Sequence, residues 1–179
     1  YNLSGGSITV ANWIAIGRAG GMGVVNFTNG VINKIGGGNF AIGSGGNGTL
    51  NQYGGYITNQ VGFTYVAEAG GVGTWNMYGG TATLGILQFC QGGNGNGLMY
   101  FNGGILNVNE INCGVANANG AIFLNGGTIR ANGDNANFFH SLGSAYVDVG
   151  GVVIDSQEFD ITVAQTLIDY GGGGLTKLG

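Results

Sequence analysis

The sequence contains no proline, and only 7% of its 179 residues are charged. A collagen-type triple helix needs abundant proline and glycine at every third position, so that architecture is excluded although glycine occurs 42 times. A disordered linker is excluded because 44% of the residues are apolar. Glycine and asparagine, which are often adjacent here, tolerate left-handed backbone at tight corners. The composition therefore indicates many short strands joined by many turns.

Positive charge is scarce and scattered over Arg18, Lys34, Arg130 and Lys177. Nucleic-acid binding requires clustered cations that neutralise phosphates, so we expect no nucleic-acid partner. The sequence has no apolar run long enough to span a bilayer and no recognisable signal peptide. It starts and stops within a repeating pattern, so we expect it to be a mature fragment of a longer protein.

That pattern is a pair of glycines that recurs every 23 to 25 residues along nearly the whole chain. The pairs are Gly5-Gly6, Gly54-Gly55, Gly79-Gly80, Gly103-Gly104, Gly126-Gly127 and Gly150-Gly151, with Asn29-Gly30 in the one remaining position. A fixed period in this range is typical of a solenoid built from stacked units.

Apolar residues stand at fixed offsets from the second glycine of each pair. Two residues after it come Ile8, Ile32, Ile57, Ala82, Leu106, Ile129 and Val153. Apolar residues also alternate before the pair, as at Trp75 and Met77, and a third apolar stretch follows, as at Phe40 to Ile42. Period-two alternation on both sides of a glycine corner indicates half-buried strands, and helical heptads are absent. We therefore expect almost no α-helix.

These features predict an all-β fold: a single-stranded, right-handed parallel β-helix (β-solenoid) of about seven coils, each with three short strands. Residues 1–149 would form coils with Gly-Gly corners, and residues 150–179 would continue the same domain. Coils stacked at roughly 4.8 Å give a rod about 34 Å long. Ile57 and Ile129 should be buried in one axial column, because their offset from the glycine pair is identical.

The last 30 residues have a different sequence pattern. It includes Gly150-Gly151, Asp155, the alternating Phe159, Ile161 and Val163, then Gln165, Leu167 and the run from Gly173 to Gly179. This pattern resembles the autotransporter-associated β-strand repeat of bacterial surface proteins. The earlier coils resemble that repeat only in their general pattern. The resemblance implies a secreted passenger or a giant surface protein of a Gram-negative-type bacterium. It implies no catalytic residues.

The repeat predicts two columns of outward-facing side chains. One should carry Asn2, Asn26, Asn51 and Asn76 and continue as Tyr100, Phe123 and Val147, and stacked Asn side chains can hydrogen-bond along the axis. Tyr53 and Tyr78 share a neighbouring column. The candidate ligand-binding patch is therefore Tyr53, Tyr78, Tyr100 and Phe123. Such a patch can stack sugars or pack against a partner, or its rings can stack on one another and only stabilise the sheet.

The carboxylates of Glu110, Asp134 and Glu158 are spaced 24 and 24 residues apart. If the coils stack in register, the three align on one edge, and a Ca²⁺ ion could bridge them through hard oxygen ligands. The alternative is that they extend into solvent from loops of unequal length. Carboxylate pairs also catalyse glycoside hydrolysis, but no other feature of the sequence supports that chemistry. Apart from Ca²⁺ we expect no cofactor.

Cys90 and Cys113 each precede a closing glycine, Gly97 or Gly120, by seven residues. They should therefore lie one above the other, in the column of Ile16. That spacing permits a disulfide, but cysteine also packs as a small apolar residue, and we favour two buried thiols. The single histidine, His140, lies among apolar residues and is interpreted as structural.

The sequence thus predicts a non-catalytic extracellular structural protein, a stalk, spacer or filament segment of a bacterial surface or secreted protein. We expect it to associate with itself end to end or to belong to a longer solenoid. The alternatives are a polysaccharide-binding or polysaccharide-processing module, or an adhesin passenger.

Overall fold

The structure is a computed structural model that describes residues 1–115 and 119–179. Strands of successive coils pair in parallel and build a β-solenoid of about seven turns. The described residues contain strands and turns but no α-helix. The predicted fold class is therefore confirmed.

The first face of the solenoid is an eight-stranded parallel sheet with one strand from each coil. Its strands are β1 (Asn2–Leu3), β4 (Met22–Phe27), β7 (Asn47–Gln52), β9 (Val72–Met77), β11 (Asn96–Phe101), β13 (Asn119–Leu124), β16 (Ser144–Val147) and β19 (Leu167–Asp169). Side chains alternate along each strand, so every second residue enters the core.

The second and third faces belong to a larger parallel sheet. Its main path contains β2 (Ser7–Val10), β5 (Val31–Lys34), β8 (Tyr56–Glu68), β10 (Thr81–Gln91), β12 (Ile105–Cys113), β14 (Thr128–Ala131), β17 (Val152–Asp155) and β20 (Leu175–Leu178). Four further strands lie on the third face: β3 (Ile14–Arg18), β6 (Phe40–Ser44), β15 (Asn135–Phe139) and β18 (Ile161–Val163).

The middle coils refine the expectation of three short strands. There β8, β10 and β12 are 13, 11 and 9 residues long, and each covers both the second and the third face. The register shifts between Leu84 and Ile86, where the long strand bends. These coils therefore keep three faces, but a single long strand forms both the second and the third face.

The core is built from axial columns of apolar side chains. Ile57 pairs in register with Ala82, which continues through Leu106 to Ile129. Ile57 is 1% exposed and Ile129 is fully buried. The prediction that these two residues share a buried column is confirmed. Residues at one offset stack because the strands pair in parallel without a shift in this column.

The column ends differently from the prediction. Ile129 pairs with Ile154, whereas Val153 pairs with the outward-facing Thr128. Seven positions separate Val147 from Ile154, but only five separate their partners Leu124 and Ile129. The corner of this coil is two residues longer, so positions counted from its glycine pair fall out of register.

Candidate functional site

An amide ladder runs along the outer surface of the first face. Asn26 donates to Asn2, Asn51 donates to Asn26, and Asn76 donates to Asn51, each from Nδ2 to Oδ1 at 2.7 to 2.8 Å. In-register pairing places the four side chains one coil apart, which is the spacing that an amide ladder needs. The predicted column of asparagines is confirmed.

The same column continues as an aromatic ladder. Tyr100 pairs with Asn76, Phe123 with Tyr100, and Tyr146 with Phe123. The rings of Tyr100 and Phe123 lie 4.9 Å apart at 13°, and those of Phe123 and Tyr146 lie 4.9 Å apart at 23°. The third member is Tyr146 rather than the predicted Val147, because the longer corner of that coil moves the register.

Tyr170 covers the end of this ladder. Its ring meets the ring of Phe123 edge-on at 75° and lies 5.4 Å from that of Tyr146. Tyr170 lies one residue beyond β19 and outside the glycine-pair pattern, so the repeat did not predict it. The ladder therefore consists of four rings, Tyr100, Phe123, Tyr146 and Tyr170.

The second aromatic column is a two-ring stack at the corner that follows the first face. Tyr53 and Tyr78 lie 5.1 Å apart with an interplanar angle of 7°. Both side chains are about half exposed, at 51% and 50%. The structure thus brings the four predicted aromatic residues together as two parallel stacks on adjacent columns.

The stacking decides which atoms a ligand can reach. A sugar packs against the face of an aromatic ring, but both faces of Phe123 are covered by its neighbours, and Tyr53 and Tyr78 each cover one face of the other. Phe123 therefore has no free ring face, whereas Tyr53 and Tyr78 each have one face outside the stack. Cross-coil aromatic pairs of this kind stabilise a sheet. The geometry favours the structural interpretation of the patch over sugar stacking.

A shallow groove of about 660 Å³ lies beside the aromatic ladder. Its floor includes Leu98, Ala121 and Ser144, each two residues before a ladder aromatic on the same strand, and Asn96 and Asn119 form one side. The groove offers amide and hydroxyl groups rather than open ring faces.

The three predicted metal ligands do not form an axial column. Glu110 pairs with Ile86, Asp134 accepts the backbone N–H of Asp160 at 2.9 Å, and Glu158 lies on an exposed turn with φ +67°. Among the described residues, no group of three His, Cys, Asp or Glu side chains could hold a metal ion. The predicted alignment is wrong, because the 24-residue spacing is interrupted by corners of different length.

Glu110 instead belongs to a hydrogen-bonded chain that crosses from one coil to the next. Its Oε1 accepts from Asn112 Nδ2 and lies 3.1 Å from His140 Nε2. The other ring nitrogen, Nδ1, lies 2.7 Å from the hydroxyl of Ser141. Ser141 has φ +62°, a left-handed conformation that is strained for a residue with a side chain, and the contact with its neighbour stabilises the turn.

The cysteines lie in neighbouring coils, but they are offset by one residue rather than paired. Cys113 pairs with Phe89, so Cys113 occupies the column of Ile16 as predicted, whereas Cys90 follows Phe89 at the corner. Eight residues separate Phe89 from Gly97, but seven separate Cys113 from Gly120, so counting back from the glycine misplaced Cys90. Both are free thiols and both are buried, as we expected.

Besides the strand pairing, an ion pair links the tail to the preceding coil. Arg130 and Asp155 are register partners on β14 and β17, and Arg130 Nε donates to Asp155 Oδ2 at 3.1 Å. The backbone N–H of Gln157, which also donates to Asp155, lowers the pKa of this carboxyl below its ordinary value of 3.8, and Arg130 lowers it further. The carboxylate is therefore a stabilising group of the folded tail.

We expect Asp155→Asn to lower the free energy of unfolding by about 1 kcal/mol at pH 7, the upper value for an ion pair whose cation is partly exposed to solvent. Because the folded-state pKa is depressed, the stabilisation is present above the unfolded-state pKa and is lost as the pH falls through the folded-state pKa. Urea unfolding from pH 7 to pH 2 measures this. The variant and parent should converge at the acid end, and Glu158→Gln on the exposed turn serves as the control. A difference that is independent of pH would contradict the assignment.

The fold and these ladders define the class of protein: a parallel β-solenoid whose outer columns are hydrogen-bonded and stacked along the axis. Comparison with known proteins finds no matching family model, curated protein or solved structure. In the part of the chain that the structure describes, no helix is long and apolar enough to cross a membrane.

Proposed function

We propose that this chain is a non-catalytic structural segment of a rod, serving as a stalk, spacer or filament segment of a secreted or cell-surface bacterial protein. The observation that supports the proposal is the continuity of bonding along the axis. Eight strands of the first face pair in sequence from β1 to β19, so a load along the rod acts on the inter-coil hydrogen bonds of every coil.

The outer side chains support the same proposal. Asparagine amides bond to asparagine amides, and aromatic rings stack on aromatic rings, so the groups that a ligand would use already contact one another. Each contact joins one coil to the next. Such contacts raise the stiffness of the rod without requiring any partner.

The rod offers an axial surface for a further coil. At the first coil, Ile8, Trp13, Ile14 and Phe40 help to line an apolar recess of about 350 Å³. At the other end, Leu175 and Leu178 of β20 are 53% and 48% exposed. Strand edges with apolar neighbours favour addition of another strand. We propose that a preceding or following coil of a longer solenoid, or a second copy, packs on these surfaces.

The placement at a bacterial surface rests on the tail. Its resemblance to autotransporter-associated repeats is carried by sequence, and β17 to β20 extend the solenoid by pairing with the coil before them. A secreted passenger built this way needs no catalytic group.

Electron microscopy combined with light scattering over a concentration series tests the proposal. We expect rigid rods about 34 Å long per chain, or multiples of that length where copies stack, together with resistance to proteases between coils. Leu175→Asp should shorten stacked rods because it places a charge on the axial surface, and Tyr56→Asp on a lateral surface is the matched control. Flexible or irregular particles that proteases cleave within the coils would contradict a structural rod.

A polysaccharide-binding module or an adhesin passenger is the second candidate, and the groove between Asn96, Asn119 and Ser144 is the observation that favours it. Retention on a polysaccharide array separates the two candidates. Retention that Tyr78→Ala or Ser144→Trp abolishes without lowering the melting temperature would replace the structural proposal. The rod proposal expects parent and variants to be retained equally weakly.

A further inference from the structure

Two buried thiols lie in neighbouring coils, at the junction between the fourth and fifth coils. Cys90 is fully buried and Cys113 is 9% exposed. Phe89 is the register partner of Cys113 and Cys90 is the next residue, so on regular coil and strand spacings the Cα atoms of the two cysteines lie within about 6 Å of each other. Disulfides in proteins have Cα separations of about 4.4–6.8 Å, most often about 5.5–6 Å. The one-residue offset therefore suits a disulfide.

The backbone at Cys90 explains why the two thiols meet. Successive side chains of a strand point to opposite sides, yet Phe89 and Cys90 are both fully buried. Cys90 has φ +51°, and this left-handed corner turns its side chain back toward the core. Glycine or alanine occupies the same corner in earlier coils, at Gly17, Gly43 and Ala67, each also with positive φ. Cys90 is thus the residue of this column that brings a reactive group into the core.

We propose that Cys90 and Cys113 form a built-in disulfide site, at which a small-molecule disulfide such as oxidised glutathione converts the two thiols into a covalent link between adjacent coils. This proposal is independent of the proposed function, since it depends on the register and the burial of the two cysteines.

The chemistry is two successive exchanges. The Cys113 thiolate attacks one sulfur of the small disulfide, forms a mixed disulfide and releases one small thiol, which takes up a proton. The Cys90 sulfur, after losing its proton, then attacks the Cys113 sulfur and releases the second small thiol. Two protein thiols are oxidised to one disulfide, and one small disulfide is reduced to two thiols.

The order of the two steps follows from the environment of each sulfur. Cys113 is the more exposed of the pair, so a small molecule reaches it first. The hydrogen bond from the Cys90 thiol lowers the pKa of Cys113 below its usual value, which favours the nucleophilic thiolate. The same hydrogen bond, together with burial, raises the pKa of Cys90. Cys113 is the attacking residue and Cys90 is the resolving residue.

The link would close a loop that contains all of β11 and most of β12. Adjacent coils are otherwise joined by non-covalent ladders, so a disulfide would stop the two coils from separating when the rod is heated. A cross-link of this loop length is expected to raise the melting temperature by roughly 5–10 °C.

Incubation of the folded protein with oxidised glutathione, followed by intact-mass measurement and thiol titration in denaturant, tests the proposal. We expect the parent to lose two hydrogens and both titratable thiols while staying monomeric or unchanged in assembly, and its melting temperature to rise until dithiothreitol reverses the change. Cys90→Ser should stop at a single glutathione adduct, because its attacking thiol lacks a resolving partner. Cys113→Ser should react much more slowly.

Three results would overturn the proposal. They are a folded parent that keeps both thiols free under glutathione, cross-links only between chains, and a stable double glutathione adduct. Denatured protein oxidised in parallel confirms that the reagent is active. The single serine variants are each read by mass as well as by melting temperature, so a variant that loses stability still reports its adduct.

Discussion

Ile57→Asp is expected to unfold the middle of the rod and to lower the free energy of unfolding by about 3–5 kcal/mol. Ile57 is 1% exposed and lies between Ile32 and Ala82 in one axial column. An aspartate there would lose its hydration among apolar neighbours and have no cation of the column to pair with. Because the coils are stacked on one another, damage to a central coil also weakens the packing of the coils on either side.

Urea unfolding followed by circular dichroism measures this loss. Tyr56→Asp is the matched control, because Tyr56 precedes Ile57 on the same strand, points outward and is 60% exposed. We expect the control to stay within about 0.5 kcal/mol of the parent. Equal stability of the two variants would mean that Ile57 is no more buried than Tyr56, and the column assignment would be wrong.

The sequence was sufficient for the fold because a parallel solenoid repeats its register. Residues at one offset from the glycine pair lie one above another, so Ile57 and Ile129 could be assigned to the same buried column from spacing alone. The asparagine column followed from the same argument. Identical offsets predict contacts wherever the corners between two coils have equal length.

The prediction failed where corners differ in length. The two extra residues after Val147 moved Ile154 into the core position predicted for Val153. One extra residue after Phe89 put Cys90 beside Cys113 rather than directly below it. Corner length depends on local turn conformation rather than on the apolar pattern, so glycine positions alone could not supply it.

The candidate aromatic site was predicted in position but not in geometry. Alternation showed that Tyr53, Tyr78, Tyr100 and Phe123 point outward, which the structure agrees with. Whether a ring offers its face or its edge to solvent depends on side-chain torsions, and the coil spacing of about 4.8 Å allows adjacent rings to stack. That stacking leaves a ligand fewer open ring faces than the sequence pattern implied.

The closing glycines have a physical role that the repeat alone did not reveal. They pair in register as Gly23, Gly48, Gly73, Gly97 and Gly120 at the starts of first-face strands. Each lies where the first-face strand passes close to the end of a third-face strand. From Gly23 to Gly97 the atom nearest to an added methyl group is a backbone atom of a third-face strand, so two backbones approach there without a side chain between them, whereas Gly120 faces the side chain of Phe89.

Gly73→Ala is therefore expected to destabilise the rod by about 3 kcal/mol, at the upper end of the range for overpacked cores. A methyl group on Gly73 would overlap the carbonyl oxygen of Ile42 and stand 2.5 Å from the amide nitrogen of Ala67. Both atoms are backbone held by strand pairing, so neither can move aside as a flexible side chain would. Relief requires the first and third faces to separate.

Urea unfolding of Gly73→Ala against Gly133→Ala isolates this effect, because a methyl group on Gly133 would meet no atom within 4 Å. We expect Gly133→Ala to be neutral and Gly48→Ala, which faces the equivalent backbone one coil earlier, to reproduce the loss. If Gly73→Ala were as stable as Gly133→Ala, the two faces could not approach as closely as described. The recurrence of glycine at this position would then reflect turn conformation alone, and the spacing of the faces would have to be set by the aromatic side chains of the core.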